Sequence, residues 1–207
     1  MSWGDIYNRP SNTAPYYMET FTGKKLYILD PDPEDICIED IAYSLAGTPR
    51  YRRHFKRGVW YSVDEHSVHV ANVAANHKGP YQKTNEQILR ALLHDASEAY
   101  TGDILTPWKN SIPEIRQAER AIEHCIMAKY NLPLDKPDWL EAIDKRIVVD
   151  ERRAIMSPTD NVWACDNLAP LGVEIQCWEP DEAEDRFLTL FHELTWKNIV
   201  ERRVHNA

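Results

Sequence analysis

The residues with the clearest chemical meaning are His94 and Asp95, adjacent in sequence behind an apolar helical run, Ile88-Leu89-Arg90-Ala91-Leu92-Leu93. An imidazole and a carboxylate buried there without partners would be costly, and a bound cation is one way to compensate them. Neighbours on a helix point about 100° apart, so both side chains can straddle one ion lying against it. Glu98 follows one turn along on the same side, and Asp103 stands in the next loop, just past Gly102. Two further ligand candidates belong to other helices. His66 lies in the first turn of one, and Asp144 sits between apolar Ile143 and Ile147, flanked by Lys145 and Arg146. Asp150 is a rival for the last position, and a simple ion pair with Lys145 or Arg146 is the plainer account of Asp144. His66, His94, Asp95 and Asp144 together offer two imidazole nitrogens and two carboxylates. That mixed set suits one divalent ion among Mn, Fe, Co, Ni, Zn and Mg. Four side chains leave room for water and a substrate oxygen, which a hydrolytic site requires.

Helices must position these groups, and their start signals are strong. Ser62 and Glu65 have the spacing of a capping box, as do Thr84 and Gln87, and Ser111 and Glu114. Pro113 fits the first turn of the third helix, where a missing N–H costs nothing. The expected helices run from Ser62 past Val70 and Val73, from Thr84 through Ile88 and Leu92 to Ala96, and from Ser111 to about Tyr130. Asp135 is expected to cap another, reaching about Met156, and Pro180 opens a last one through Phe187, Leu190, Leu194 and Ile199. A short helix over Ile38 to Leu45 should end at Gly47. Before it, residues 25–29 form one strand of a short hairpin turning at Thr22 to Lys24, and a strand is expected at Val173 to Cys177. The fold class is therefore all-α: a helical bundle with a small extended N-terminal appendage. One domain over residues 1–207 is expected, made of an arm (1–37), a metal-binding helical core (38–156), and a loop plus C-terminal helix (157–207).

Bulk properties limit the partners. A chain of 207 residues with 43% hydrophobic and 28% charged residues can bury one substantial core. A formal net charge of −9 repels polyanions, which argues against nucleic-acid polymers and anionic membranes but not against a small phosphorylated ligand in a local basic pocket. Residues 1–10 lack a basic segment followed by an apolar one, and no run approaches a membrane span. Four cysteines, Cys37, Cys125, Cys165 and Cys177, show no C-x-x-C spacing and read as reduced thiols in a cytoplasmic protein.

The order His, His-Asp, distant Asp resembles the HD superfamily of metal-dependent phosphohydrolases. More closely, the runs S-V-D-E-H-S (62–67) and H-D-A-S-E-A-Y-T-G-D-I-L-T-P-W-K (94–109) are similar to segments of bacterial and phage 5′-deoxynucleotidase-like HD proteins. The resemblance covers roughly residues 30–156. It implies a compact helical fold that holds one divalent ion through His66, His94, Asp95 and Asp144, with Glu98 and Asp103 as catalytic or water-orienting acids. An Arg followed by an aromatic residue, contacting phosphate and base, usually precedes the first metal histidine in that family; Arg50-Tyr51 stands at a matching distance. Relatives often carry two glycines where this chain has Arg52-Arg53, a departure that bears on substrate size. The Gly-Tyr-Pro triplet of the HD-GYP class is absent, which disfavours cyclic-di-GMP as substrate.

A mechanism follows from these parts. An ion would polarise a phosphoryl oxygen and acidify water at neutral pH. Arg50 and Lys109 would neutralise phosphate, the first as a planar fork and the second as a point charge. Glu98, with its pKa raised by burial and by Asp95, would be the general acid or base, and His54 could reach the pocket from the basic loop over residues 50–57. The leading expectation is a 5′-deoxynucleotidase acting on dNMPs. A dNTP triphosphohydrolase with the same site is the near alternative, and a non-catalytic nucleotide- or metal-sensing module is the alternative of another class. A homodimer is expected on general grounds.

Overall fold

The computed structural model describes residues 16–76 and 82–205. Met18–Glu19 (β1) and Lys25–Leu26 (β2) pair antiparallel across the turn at Thr22–Lys24, and only the first two residues of the expected five-residue strand join the ladder. The hairpin is seated on the first described α-helix, α1 (Ile38–Ala46), by Asp40, whose carboxylate accepts from the Thr22 backbone N–H (2.7 Å) and the Thr22 hydroxyl (2.8 Å). Phe21 stacks on Tyr43 at 4.1 Å, and Leu26 and Ile36 are buried in the core. Leu26 and Ile36 thus belong to the same hydrophobic cluster as the helices.

Seven more α-helices follow: α2 (Val63–Ala75), α3 (Asn85–Leu92), α4 (Glu98–Thr101), α5 (Thr106–Ser111), α6 (Pro113–Lys129), α7 (Asp138–Ile155) and α8 (Pro180–His205). The last packs against α1, α2 and α3, through Ala183, Phe187, Phe191 and Leu194, so its apolar stripe is used within the bundle. No described helix is long and apolar enough to cross a membrane. The four cysteines are free thiols.

Several expected boundaries move. The Thr84–Gln87 capping box is complete, but α3 stops at Leu92, so His94 and Asp95 occupy the turn between α3 and α4 rather than a helix. The Ser111 cap does not form: Ser111 ends α5, its hydroxyl donates to the Pro107 carbonyl (2.8 Å), and Ile112 takes the cap position of α6 without a side-chain bond. Pro137, not Asp135, precedes α7. Residues 173–177 form no strand. Residues 1–10 lie outside the described residues.

The most consequential departure concerns Glu65. Ser62 accepts from the Glu65 N–H at 3.1 Å, as expected, but the Glu65 side chain does not turn back to the Ser62 backbone. Fully buried, it accepts backbone N–H groups from Gln176 (2.8 Å), Cys177 (2.8 Å) and Trp178 (2.7 Å), and its Oε1 lies 3.2 Å from His69 Nε2. Asp150 holds the same segment upstream by accepting from the Leu171 and Gly172 N–H groups. The rival metal ligand of the sequence reading is therefore a loop anchor. Charge-assisted bonds of this kind are strong, and their loss strands buried donors. Glu65→Ala is expected to lower stability by roughly 3–5 kcal/mol. Urea unfolding of the variant beside wild type checks this, with Glu65→Gln recovering part of the loss.

Candidate metal centre and its surroundings

Three segments of the bundle bring the four expected ligand residues together. His66 comes from the first turn of α2, His94 and Asp95 from the α3–α4 turn, and Asp144 from the second turn of α7. One donor atom from each lies within 4.8 Å of the others. His66 Nε2 is 3.3 Å from His94 Nε2, 3.5 Å from Asp95 Oδ2 and 3.4 Å from Asp144 Oδ1. His94 Nε2 is 3.3 Å from Asp95 Oδ2 and 3.7 Å from Asp144 Oδ1.

The remaining atoms of these side chains are tied back into the protein. His66 Nδ1 donates to Glu151 Oε1 (2.6 Å) and His94 Nδ1 to the Ala91 carbonyl (2.8 Å). Both acceptors demand a proton on Nδ1, so in the neutral tautomers the two Nε2 lone pairs face each other and the carboxylates. Asp144 Oδ2 accepts from Lys136 Nζ (2.6 Å), and Asp95 Oδ2 from Arg50 Nη1 (3.2 Å). Lys145 and Arg146, the partners the plainer reading assigned to Asp144, bind Glu141 and the Ala169 and Pro170 carbonyls instead. Burial opposes charge on His94, yet Asp95 and Asp144 outweigh it and raise the imidazole pKa to about 9. Burial also works against the two carboxylates, and the histidines hold both below the usual range. Two converging imidazoles compensated by two carboxylates fit a divalent cation in both charge and donor type.

Glu151 was not among the sequence candidates. It is fully buried, accepts from the Tyr61 hydroxyl (2.7 Å) and the Tyr51 hydroxyl, and lies 3.7 Å from Arg50 Nη2. Burial alone would raise its pKa; Arg50 and His66 hold it at about 2. Its position, seven residues after Asp144 on α7, places both acids on one helix face. The charge run Asp150 to Arg153 concealed that signal by resembling a solvated surface. Because Glu151 orients a candidate ligand ring, Glu151→Gln is expected to weaken metal binding about 10–100-fold. Titration of the metal-free variant with Mn²⁺ and Co²⁺ measures it.

Of the expected acids and substrate residues, Arg50 bonds Asp95 directly, Tyr51 bonds Glu151, Lys109 bonds Glu98 and Asp103 bonds the Tyr51 backbone, whereas His54 makes no bond to the cluster among the described residues. Glu98 opens α4 and is buried, with Oε1 accepting from Lys109 Nζ at 3.2 Å and Oε2 without a partner among the described residues. Burial first, then Asp95 and Asp103, push its pKa well above the usual value. Lys109 also lies 2.9 Å from Glu119 Oε1, so its charge is engaged by two carboxylates. Asp103 Oδ2 accepts the Tyr51 N–H at 2.6 Å. Arg50 is buried, and its Nε is unpartnered among the described residues. Tyr51, Arg52 and Arg53 have φ of 53°, 54° and 64°. Left-handed backbone at non-glycine residues costs about 1–3 kcal/mol each, and here the Asp103 bond and the His54 N–H to Tyr51 carbonyl bond (3.0 Å) pin it. Arg52 and Arg53 thus stand in a backbone region that favours glycine. His54 lines the cavities beside this turn. Trp108 is 60% exposed on the wall of the smaller one, and Trp60 lies beneath Arg53.

Comparison with known proteins gives this arrangement a family. Residues 53–186 match the family described as 5′-deoxynucleotidase YfbR-like. The chain belongs to that family. It is accordingly an HD-type, metal-dependent phosphohydrolase. The uncharacterized protein YfdR of Escherichia coli K12 is 31% identical over 147 residues, covering 71% of this chain and 76% of the relative. An uncharacterized protein of Rhodobacter capsulatus is 40% identical over 97 residues, 46% of this chain and 48% of its own length. The 5′-deoxynucleotidase YfbR of Salmonella paratyphi B is 37% identical over 115 residues, 50% of this chain and 57% of that protein. The chain therefore spans about half the length of the latter two.

Proposed function

We propose that this protein hydrolyses the 5′-phosphate ester of 2′-deoxynucleoside monophosphates, with a divalent ion held by His66, His94, Asp95 and Asp144. The observation that carries the reading is the convergence of those four donors beside two buried polar atoms without partners among the described residues, Arg50 Nε and Glu98 Oε2. Buried polar groups are almost always satisfied, so two orphans beside a cation site are what a polar ligand would complete. The name of the Salmonella relative supports the choice of ester.

When bound, the ion would supply Lewis acidity toward a phosphoryl oxygen and make water acidic enough to act as nucleophile at neutral pH. The chain's own groups divide the remaining tasks. Arg50, braced between Asp95 and Glu151, presents its free N–H to phosphate as part of a fixed fork. Glu98, holding its proton through burial and its acidic neighbours, is placed to protonate the departing sugar oxygen. Lys109 holds the Glu98 carboxyl in position, and Asp103 fixes the Tyr51 turn that frames the site.

A hydrolysis screen of the purified protein against dNMPs, NMPs and dNTPs, with EDTA, Mn²⁺, Co²⁺ and Mg²⁺ as arms, tests the reading. Metal-dependent release of inorganic phosphate from dNMPs is expected. Triphosphate release from dNTPs would replace it with a triphosphohydrolase. Silence across the panel, with metal bound, would replace it with a sensing module.

A further inference from the structure

A cavity of about 600 Å³ has Tyr51 in its wall. Its walls are Tyr51 and His54 from the left-handed turn, Leu105 from the start of α5, and Met156, Val162 and Trp163 from the segment after α7. The lining is overwhelmingly apolar, and Val162 is 87% exposed at the rim. The Trp163 ring is braced from outside the cavity. The Arg152 guanidinium lies 4.9 Å from its centroid, and the same arginine pairs with Asp166 and donates to the Asn161 carbonyl. Asp166 in turn accepts the Trp163 N–H at 2.7 Å. The Tyr51 ring sits 6.0 Å from the indole, tilted against it.

An apolar cleft with a fixed indole on one wall suits a flat aromatic occupant. Tyr51 connects it to the metal cluster, since its hydroxyl donates to Glu151 and Glu151 accepts from the His66 ring. Tyr51 therefore belongs both to the wall of the cleft and to the hydrogen-bonded surroundings of the cluster. We propose that this cleft is the nucleobase subsite, that Trp163 stacks on the base, and that it favours purines over pyrimidines. The inference rests on the nucleotide reading above. The purine preference follows from the lining. His54 and Thr106 are the polar side chains it presents, so contact area rather than hydrogen-bond readout sets affinity, and two fused rings cover more of the indole than one.

The test compares wild type, Trp163→Ala and Trp163→Phe on dAMP, dTMP and 2-deoxyribose 5-phosphate, which has no base. Trp163→Ala should raise KM for dAMP about tenfold, raise it less for dTMP, and leave kcat within about twofold. Trp163→Phe should keep most of the wild-type KM. Turnover of 2-deoxyribose 5-phosphate should be the same in all three proteins. An equal loss on the sugar phosphate, or no change in any KM, overturns the proposal. Calorimetric titration with 2′-deoxyadenosine decides the subsite even if no phosphate ester is cleaved. Binding to wild type that is lost in Trp163→Ala supports it, and equal or absent binding in both overturns it.

Discussion

Asp95→Ala is expected to abolish phosphate release, by about a thousandfold or more, and to weaken metal binding in parallel. Asp95 has two tasks that no neighbour duplicates. Its Oδ2 is one of the four converging donors, and it is also the acceptor that steers Arg50. Alanine removes half of the carboxylate charge opposing the two imidazoles, so a divalent ion would meet a less compensated pair. Arg50 would lose its hydrogen-bonded carboxylate and keep the 3.7 Å ion pair with Glu151 and its place over the Tyr51 ring. The Asp95 side chain is 19% exposed and in a turn, so its loss creates little cavity. Unchanged near-UV circular dichroism with absent metal uptake, measured by elemental analysis after gel filtration, is the expected pattern. Retained activity would remove Asp95 from the ligand set.

Glu98→Gln should separate chemistry from binding. Its expected effect is a loss of about 10²–10⁴-fold in kcat, with metal content and substrate affinity close to wild type. The amide keeps the shape of the carboxyl and can still accept from Lys109, but it has no proton to give to a leaving alkoxide. The pH dependence supplies a second readout. Burial, Asp95 and Asp103 raise the pKa of this acid, so the protonated form persists toward neutrality and kcat should fall as pH rises through it. The variant should lack that limb. A variant with full turnover would assign the proton transfer elsewhere.

The parts of the site that the sequence disclosed are those in which polarity conflicts with pattern. His94-Asp95 stood behind an apolar run, and Asp144 stood between two isoleucines, and these are positions where an unpaired polar group is hard to explain. The hairpin turn, the Thr84 cap and the C-terminal helix were legible because their signals are local. Pairings beyond a residue's own turn were not. Lys136 reaches Asp144 and Glu119 reaches Lys109 from neighbouring segments, and Glu65 reaches Gln176, Cys177 and Trp178 across the bundle. A capping box read from spacing alone offered Glu65 a plausible local bond, and tertiary structure offered it three stronger ones. The Ser111 cap failed for a local reason, because the hydroxyl found a carbonyl in its own preceding turn. Trp163 gave no sign, since a lone aromatic in an irregular stretch has no period to betray which surface it faces.

The bond between Glu65 and residues 176–178 also bears on the order of events during synthesis. A ribosome releases α2 long before it adds Gln176, and until then the Glu65 carboxylate must stay hydrated or keep its neighbourhood open. His66 is the next residue along, so its pocket cannot close around it while that anion remains in water. Contacts separated by more than a hundred residues form late and all together. The roof over the Glu65 carboxylate is thus completed only once the segment over residues 176–178 has been made.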